Sequence, residues 1–337
     1  MPRFNAASAN PRRHIMRIIW KQLLLLLAAV LVTQAAWAQG YPDRPIKWIV
    51  PWPVGGGADV VARLFSDKVS KELGQPVIIL NQGGAGGNIG ARAAADSAPD
   101  GYTIVFAYSG THSINPHIYK SMPFTQDDFD PVIFLTSVPQ LLAVNASVQA
   151  HSVKDLIALA KASPGKLRFG SSGNGAINHL AGDLFASMAD VQLMHVPYKG
   201  GGPAAMALLS GEVDMVFGEP STMLANIEAG KLRAIATTSK ARSLSLPDLP
   251  TISESGVPGY DVTSWNGVLA PAGTPPDRIA RLNQAFNSVL SDPDMRKRLL
   301  AVGYEPIGGK PEDFSKKIQE ELDKWGPVVK RTGLQIN

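Results

Sequence analysis

The chain predicts an α/β protein of two domains, each a parallel-rich sheet with helices on both faces. Three observations carry this reading. Short apolar runs alternate with helix-period segments along most of the 337 residues, as strands joined by crossover helices do. Two long extended stretches, 132–145 and 260–271, break the rhythm with no prompt crossover helix, as strands passing between domains would. The length suits two domains of about 100–200 residues, and 45% hydrophobic residues can fill two cores. The expected division is residues 39–142 plus 263–337 for one domain and 143–262 for the other.

The first 38 residues stand apart. Arg12, Arg13, Arg17 and Lys21 precede an apolar run over 23–32, and Ala36-Trp37-Ala38 offers a small-residue cleavage site. This is the layout of a secretory signal peptide, and ten apolar residues fall short of the roughly 20 that a spanning helix needs. Met16 could open such a signal by itself. Arg12-Arg13 hints at twin-arginine export, but the residues that follow fit it poorly. Without this leader the chain carries 27 basic and 28 acidic residues, so no basic face for nucleic acid is expected. There is no cysteine, which excludes disulfides, thiolate metal sites and cysteine nucleophiles.

The elements follow in order. Residues 46–50 form a short apolar run ending at Pro51, a buried strand. Residues 58–73 have helical spacing, with Val60, Val61, Leu64, Val69 and Leu73 as the apolar face, and Gly74 stops the helix. Strands are expected at 77–80 and 102–106, with a helix near 89–97 between them. Helices at 153–162, 178–188, 204–210 and 223–229 then alternate with strands at 167–169, 192–196, 213–217 and 232–237. The tail is helical at 276–290, 293–301 and 311–330, each helix with a proline near its first turn.

The informative residues lie where strands turn into helices. In open α/β sheets ligands bind outside the carboxyl ends of strands, and helix N-termini there present unpaired N–H groups that hold anions without Arg or Lys. One such loop is Pro53-Val54-Gly55-Gly56-Gly57-Ala58-Asp59. Its glycines allow close backbone approach, and Asp59 is expected to cap N–H groups and shape the loop; an ordinary tight turn is the alternative. The other runs from Gly170 to His179, where Ser hydroxyls, the Asn174 amide and backbone N–H groups can surround a carboxylate. Ser172 is a poor nucleophile candidate, because a G-x-S-x-G elbow needs glycine where Asn174 stands. No phosphate-loop or dinucleotide motif registers, the six histidines lack metal-ligand spacing, and no cofactor is expected. His179 and His195 read as structural or as ligand contacts.

At these loops the sequence resembles the Bug family, the solute receptors of tripartite tricarboxylate transporters. The resemblance runs from Tyr41 to near the C-terminus through ordered motifs: Tyr41-Pro42-Asp43-Arg44-Pro45-Ile46, the loop 51–59, and 81–90 with its Gly-Ala-Gly-Gly-Asn core. Thr111-His112-Ser113-Ile114-Asn115-Pro116, residues 169–181, Val196-Pro197-Tyr198-Lys199-Gly200, Ala229-Gly230-Lys231-Leu232 and Ala270-Pro271-Ala272-Gly273-Thr274-Pro275 follow.

The resemblance implies a two-domain, periplasmic-binding-protein-like (Venus flytrap) fold. It also implies a monomeric, non-enzymatic periplasmic receptor that takes a small organic acid and delivers it to transporter membrane subunits. Val54, Gly55, Gly56, Ala58 and Asp59 would face Ser171, Ser172, Asn174, Ala176 and His179 as pincers on one carboxylate. Tyr108, Ser109 and Thr111 would line the first domain's side, and Pro197 and Tyr198 the second's, with Lys199 nearby or solvated. Two departures bear on the ligand. Ala176 stands where the family commonly has Ser or Thr, and Phe217-Gly218-Glu219 where it often has Phe-Asp-Asn. Glu219 would receive an ammonium or hydroxyl, or cap the next helix. A sensory receptor and a periplasmic hydrolase are the rival classes.

Overall fold

The structure, a computed structural model, describes residues 40–55 and 57–336. The expected leader, its cleavage site and Gly56 lie outside them.

Two sheets organise the described chain. The first contains β1 (Ile46–Val50), β2 (Val77–Asn81), β3 (Thr103–Tyr108), β4 (Phe129–Pro139), β10 (Thr263–Pro271) and the two-residue β11 (Glu305–Pro306), in the order β11-β4-β10-β3-β1-β2. The second contains β5 (Leu141–Asn145), β6 (Arg168–Ser171), β7 (Met194–Pro197), β8 (Met215–Gly218) and β9 (Leu232–Thr237), in the order β7-β6-β8-β5-β9. Helices α1 (Gly57–Leu73), α2 (Asn88–Ala95), α3 (Asn115–Ile118), α8 (Pro276–Ser291) and α9 (Pro293–Ala301) accompany the first sheet. Helices α4 (Val153–Ala162), α5 (Ile177–Ala189), α6 (Gly201–Ser210) and α7 (Pro220–Glu228) accompany the second, and α10 (Pro311–Thr332) ends the chain.

Both sheets are mixed, parallel where strands are joined by crossover helices and antiparallel where the crossing strands enter. β1 pairs in parallel with β2 and β3, and β6 with β7 and β8. β10, however, runs antiparallel to β3 and β4, and β5 antiparallel to β8 and β9. The reason is topological. β4 leaves the first sheet at Pro139, and β5 starts two residues later with Leu141 opposite Gly218, the last residue of β8. β10 likewise enters with Asn266 opposite Tyr108, the last residue of β3. Each crossing strand therefore enters its new sheet at the carboxyl edge and runs against its neighbours. The carboxyl edges of both sheets meet where the chain crosses.

Burial explains the strands. Trp48 of β1 is fully buried and packs edge-on against Phe286 of α8, so a sheet covered on both faces needs no polar alternation. In α1 the buried face is Val61, Ala62, Phe65, Ser66, Val69 and Leu73, while Val60 is 48% exposed. That corrects the expected face: at about 100° per residue the buried positions spread over one side from Val61 round to Ser66, and Val60, a step back from Val61, falls on the opposite side. Gly74 stops α1 in a left-handed conformation, φ +71°.

Helix α10 joins both cores. Phe314 and Ile318 pack with Ile49, Val105, Trp265 and Leu269 under the first sheet. Trp325, Val328 and Val329 pack with Phe169, Phe185 and Phe217 under the second. Between them Glu321, almost fully buried, accepts from Lys317 and Lys324 at 2.9 and 2.5 Å and from the Trp325 indole at 2.9 Å.

Candidate functional site

The first loop is held open by one carboxylate. Asp59, in the first turn of α1, is 2% exposed and accepts from the Gly55 N–H at 2.9 Å, the Asn81 amide at 3.0 Å and the Arg63 guanidinium at 3.0 Å. The Arg63 hydrogen bond, with the backbone and Asn81 donors, holds its carboxyl down to about 2 against the cost of burial. Its charge is thus turned into its own loop. Gly55 has φ +83°, a conformation that suits glycine alone.

The second loop is braced from below. The Ser172 N–H and hydroxyl both donate to Asn178 Oδ1, at 3.1 and 2.9 Å. The Gly173 N–H donates to Ser171 Oγ at 3.1 Å, and the Gly175 N–H donates to His179 Nδ1 at 3.1 Å. An accepting Nδ1 fixes the neutral tautomer with the proton on Nε2, which faces Asp183 Oδ2 at 3.2 Å. His195 stacks on His179 with centroids 3.8 Å apart and meets Ser171 Oγ through Nε2 at 2.6 Å. Burial lowers the pKa of both imidazoles, that of His195 to about 4, with the Asp183 charge opposing the shift at His179. Since the His179 ring is engaged on both nitrogens and the Ser172 hydroxyl is given to Asn178, His179 does not serve Ser172 as a base.

Beside these internally bonded loops stand the first N–H groups of α1 and α5, which helix geometry leaves unpaired. They open on a cavity of about 730 Å³ between the two carboxyl edges, which shares part of its wall with a second chamber of about 340 Å³. Of the residues read from sequence, Ala58, Tyr108, Ser172, Asn174, Ala176 and Glu219 line this cleft.

The structure places the others elsewhere. Val54 and Gly55 form the loop's outer tip, with Val54 70% exposed. Ser109, Thr111 and Ser171 are fully buried behind the wall, and Thr111 donates to the Gly86 carbonyl at 2.8 Å. Asp59 and His179 support loops from beneath, Pro197 lies outside the lining, and the Tyr198 hydroxyl donates to Glu212 at 2.8 Å. Trp52 lines the cleft too, and Asn115, Tyr119, Asn266 and Tyr304 line it without having been singled out as ligand contacts. Tyr304 precedes the two-residue β11, too short to leave a sequence signal. Lys199 and Glu219 are the only charged side chains among the described lining residues.

A family model for the tripartite tricarboxylate transporter family receptor matches residues 61–334. The chain belongs to this receptor family. Like its relatives, this receptor is a solute-binding protein of the periplasm and not an enzyme. It is 35% identical over 314 residues to Protein BugT of Bordetella pertussis, covering 93% of this chain and 96% of that one. Among solved structures it is similar to R. palustris Rpa4515 with adipate, at 37% identity and a TM-score of 0.79, over 88% of this chain and 99% of the other. It is also similar to MatC from Rhodopseudomonas palustris with bound malate, at 32% identity and a TM-score of 0.74, over 86% and 100%. The receptor thus has the two-domain fold of the periplasmic binding proteins. Among its described residues no helix is long and apolar enough to cross a membrane, and no group of three acidic or histidine side chains could hold a metal.

Proposed function

We propose that this receptor captures a small organic carboxylate in the cleft and delivers it, as a monomer, to the membrane subunits of its transporter. The observation that supports this best is the facing pair of helix N-termini, α1 at Gly57 and α5 at Ile177, on one cavity whose only cation among the described lining residues is Lys199. Backbone donors and the helix dipoles suit an anion, and about 730 Å³ suits a small acid. The adipate and malate of the two similar structures are of this class. Ala58, Ser172, Asn174 and Ala176 frame the carboxylate, while Asp59, Ser171 and His179 hold the frame. The moving bodies are residues 39–142 plus 263–337 against 143–262, with the signal removed after Ala38.

A thermal-shift screen of mono-, di- and tricarboxylic acids tests the reading, since a ligand bound only to the folded state raises Tm. At least one carboxylate is expected to raise Tm by several degrees at millimolar concentration. A screen in which only uncharged or cationic solutes stabilise the protein would overturn the proposal.

A further inference from the structure

Five residues line both chambers of the cleft: Gly57, Tyr108, Ser172, Ile177 and Glu219. Gly57 and Ile177 open the two facing helices and Ser172 belongs to the second loop, so the captured carboxylate sits at this junction. Glu219 is therefore a second carboxyl group beside the first. Its Oε2 lies 3.4 Å from the Tyr304 hydroxyl, which donates to it. A Cβ built on Gly57 would be 3.1 Å from that hydroxyl and 3.9 Å from Glu219 Oε2, so both groups stand against the first residue of α1. No cation pairs with Glu219 among the described ion pairs, although Lys199 lines the same cleft.

An uncompensated carboxyl next to an anion site penalises a plain carboxylate by like-charge repulsion. It favours a ligand that brings a donor to the same place. We propose that Glu219 selects acids bearing a hydrogen-bond donor, above all an ammonium, on the carbon next to the captured carboxylate. That carbon is the part of the ligand that a carboxylate seated on α1 leaves beside Glu219. The Tyr304 oxygen, its proton given to Glu219, and the Tyr108 hydroxyl complete an acceptor corner. The ligand class is then α-amino or α-hydroxy acids. Burial raises the Glu219 pKa, with only the Tyr304 hydroxyl opposing; a ligand ammonium supplies the missing opposite charge. The inference rests on the carboxylate reading above.

The test is calorimetric titration with matched triples that differ only in carrying H, OH or NH₃⁺ on that carbon. Suitable triples are succinate, malate and aspartate; adipate with its 2-hydroxy and 2-amino forms; and 3-phenylpropionate, phenyllactate and phenylalanine. For any carbon chain that binds, the ammonium member is expected to bind at least tenfold tighter than the unsubstituted acid, with the hydroxyl member between. Glu219→Gln should cut that advantage below threefold while leaving the unsubstituted acid bound as well or better. Tyr304→Phe, an independent variant, should weaken only the two substituted members, by about threefold to tenfold. An unsubstituted acid that binds as tightly as its amino form, or a Glu219→Gln protein that loses all three equally, would overturn the proposal. Failure of every carboxylate to bind would instead sink the carboxylate reading, and this inference with it.

Discussion

His179 shapes the second loop through one ring nitrogen. Its Nδ1 accepts the Gly175 N–H at 3.1 Å, and an orphaned buried donor costs about 1–3 kcal/mol. His179→Leu should therefore displace the loop and weaken carboxylate binding about tenfold. His179→Asn, whose Oδ1 can stand in for Nδ1, should stay within about threefold of wild type. Equal losses in titrations of the two variants would mean that bulk rather than the acceptor matters. The histidines also predict a pH dependence of stability. His195 and the fully buried His112 are both held down to about 4 by burial. The unfolded chain, with histidines near 6.5, then takes up protons first as pH falls. Stability from the neutral rings is full above pH 6.5 and declines towards pH 4. A Tm profile that is flat across that window, or no shallower in His195→Asn, would contradict this. Sequence located His179 beside the loop but could not separate ligand contact from support. The ring's direction depends on His195, which arrives from the next strand.

If helix N-termini hold the ligand, α5 allows a clean deletion of one donor. Ile177 is its first residue, and the preceding Ala176 has φ −65°, ψ 153°. That extended conformation is the one a following proline requires, and proline is well tolerated at a first helical position. Ile177→Pro thus removes one N–H from the cleft without breaking the helix. A hydrogen bond to a charged group contributes about 1.5–3 kcal/mol, so affinity should fall roughly tenfold to a hundredfold. Ile177→Ala, which keeps the N–H and loses the side chain, is the packing control. If the two variants bind equally in calorimetry, that N–H plays no part. Most helices were legible because apolar spacing and terminal Gly or Pro mark them. The facing of α1 was misread because two adjacent valines compete for one stripe, and Phe65 settles the phase by packing 6.1 Å from Phe286, a contact of long range.

At the scale of the molecule, strand–helix alternation and two unbroken extended stretches sufficed to read a chain that crosses twice between sheets. The direction of β5 and β10 was not legible, since pairing sense depends on the edge at which a strand enters. The place of Trp265 was also beyond reach: it is fully buried and packs edge-on against Phe314 at 5.3 Å. Trp52, edge-on to Tyr108, is the tryptophan that lines the cleft. Nor could the amphipathic period of α10 reveal that its two halves belong to different cores. All of this geometry converges on one claim, that a cleft between two carboxyl edges offers backbone donors to an anion. Calorimetric titration of a carboxylate that binds, against its own primary amide, tests that claim most directly. The amide presents an –NH₂ donor to a site built of donors and carries no charge, so it should bind at least a hundredfold more weakly, about 2.7 kcal/mol. Equal affinity for acid and amide would contradict it.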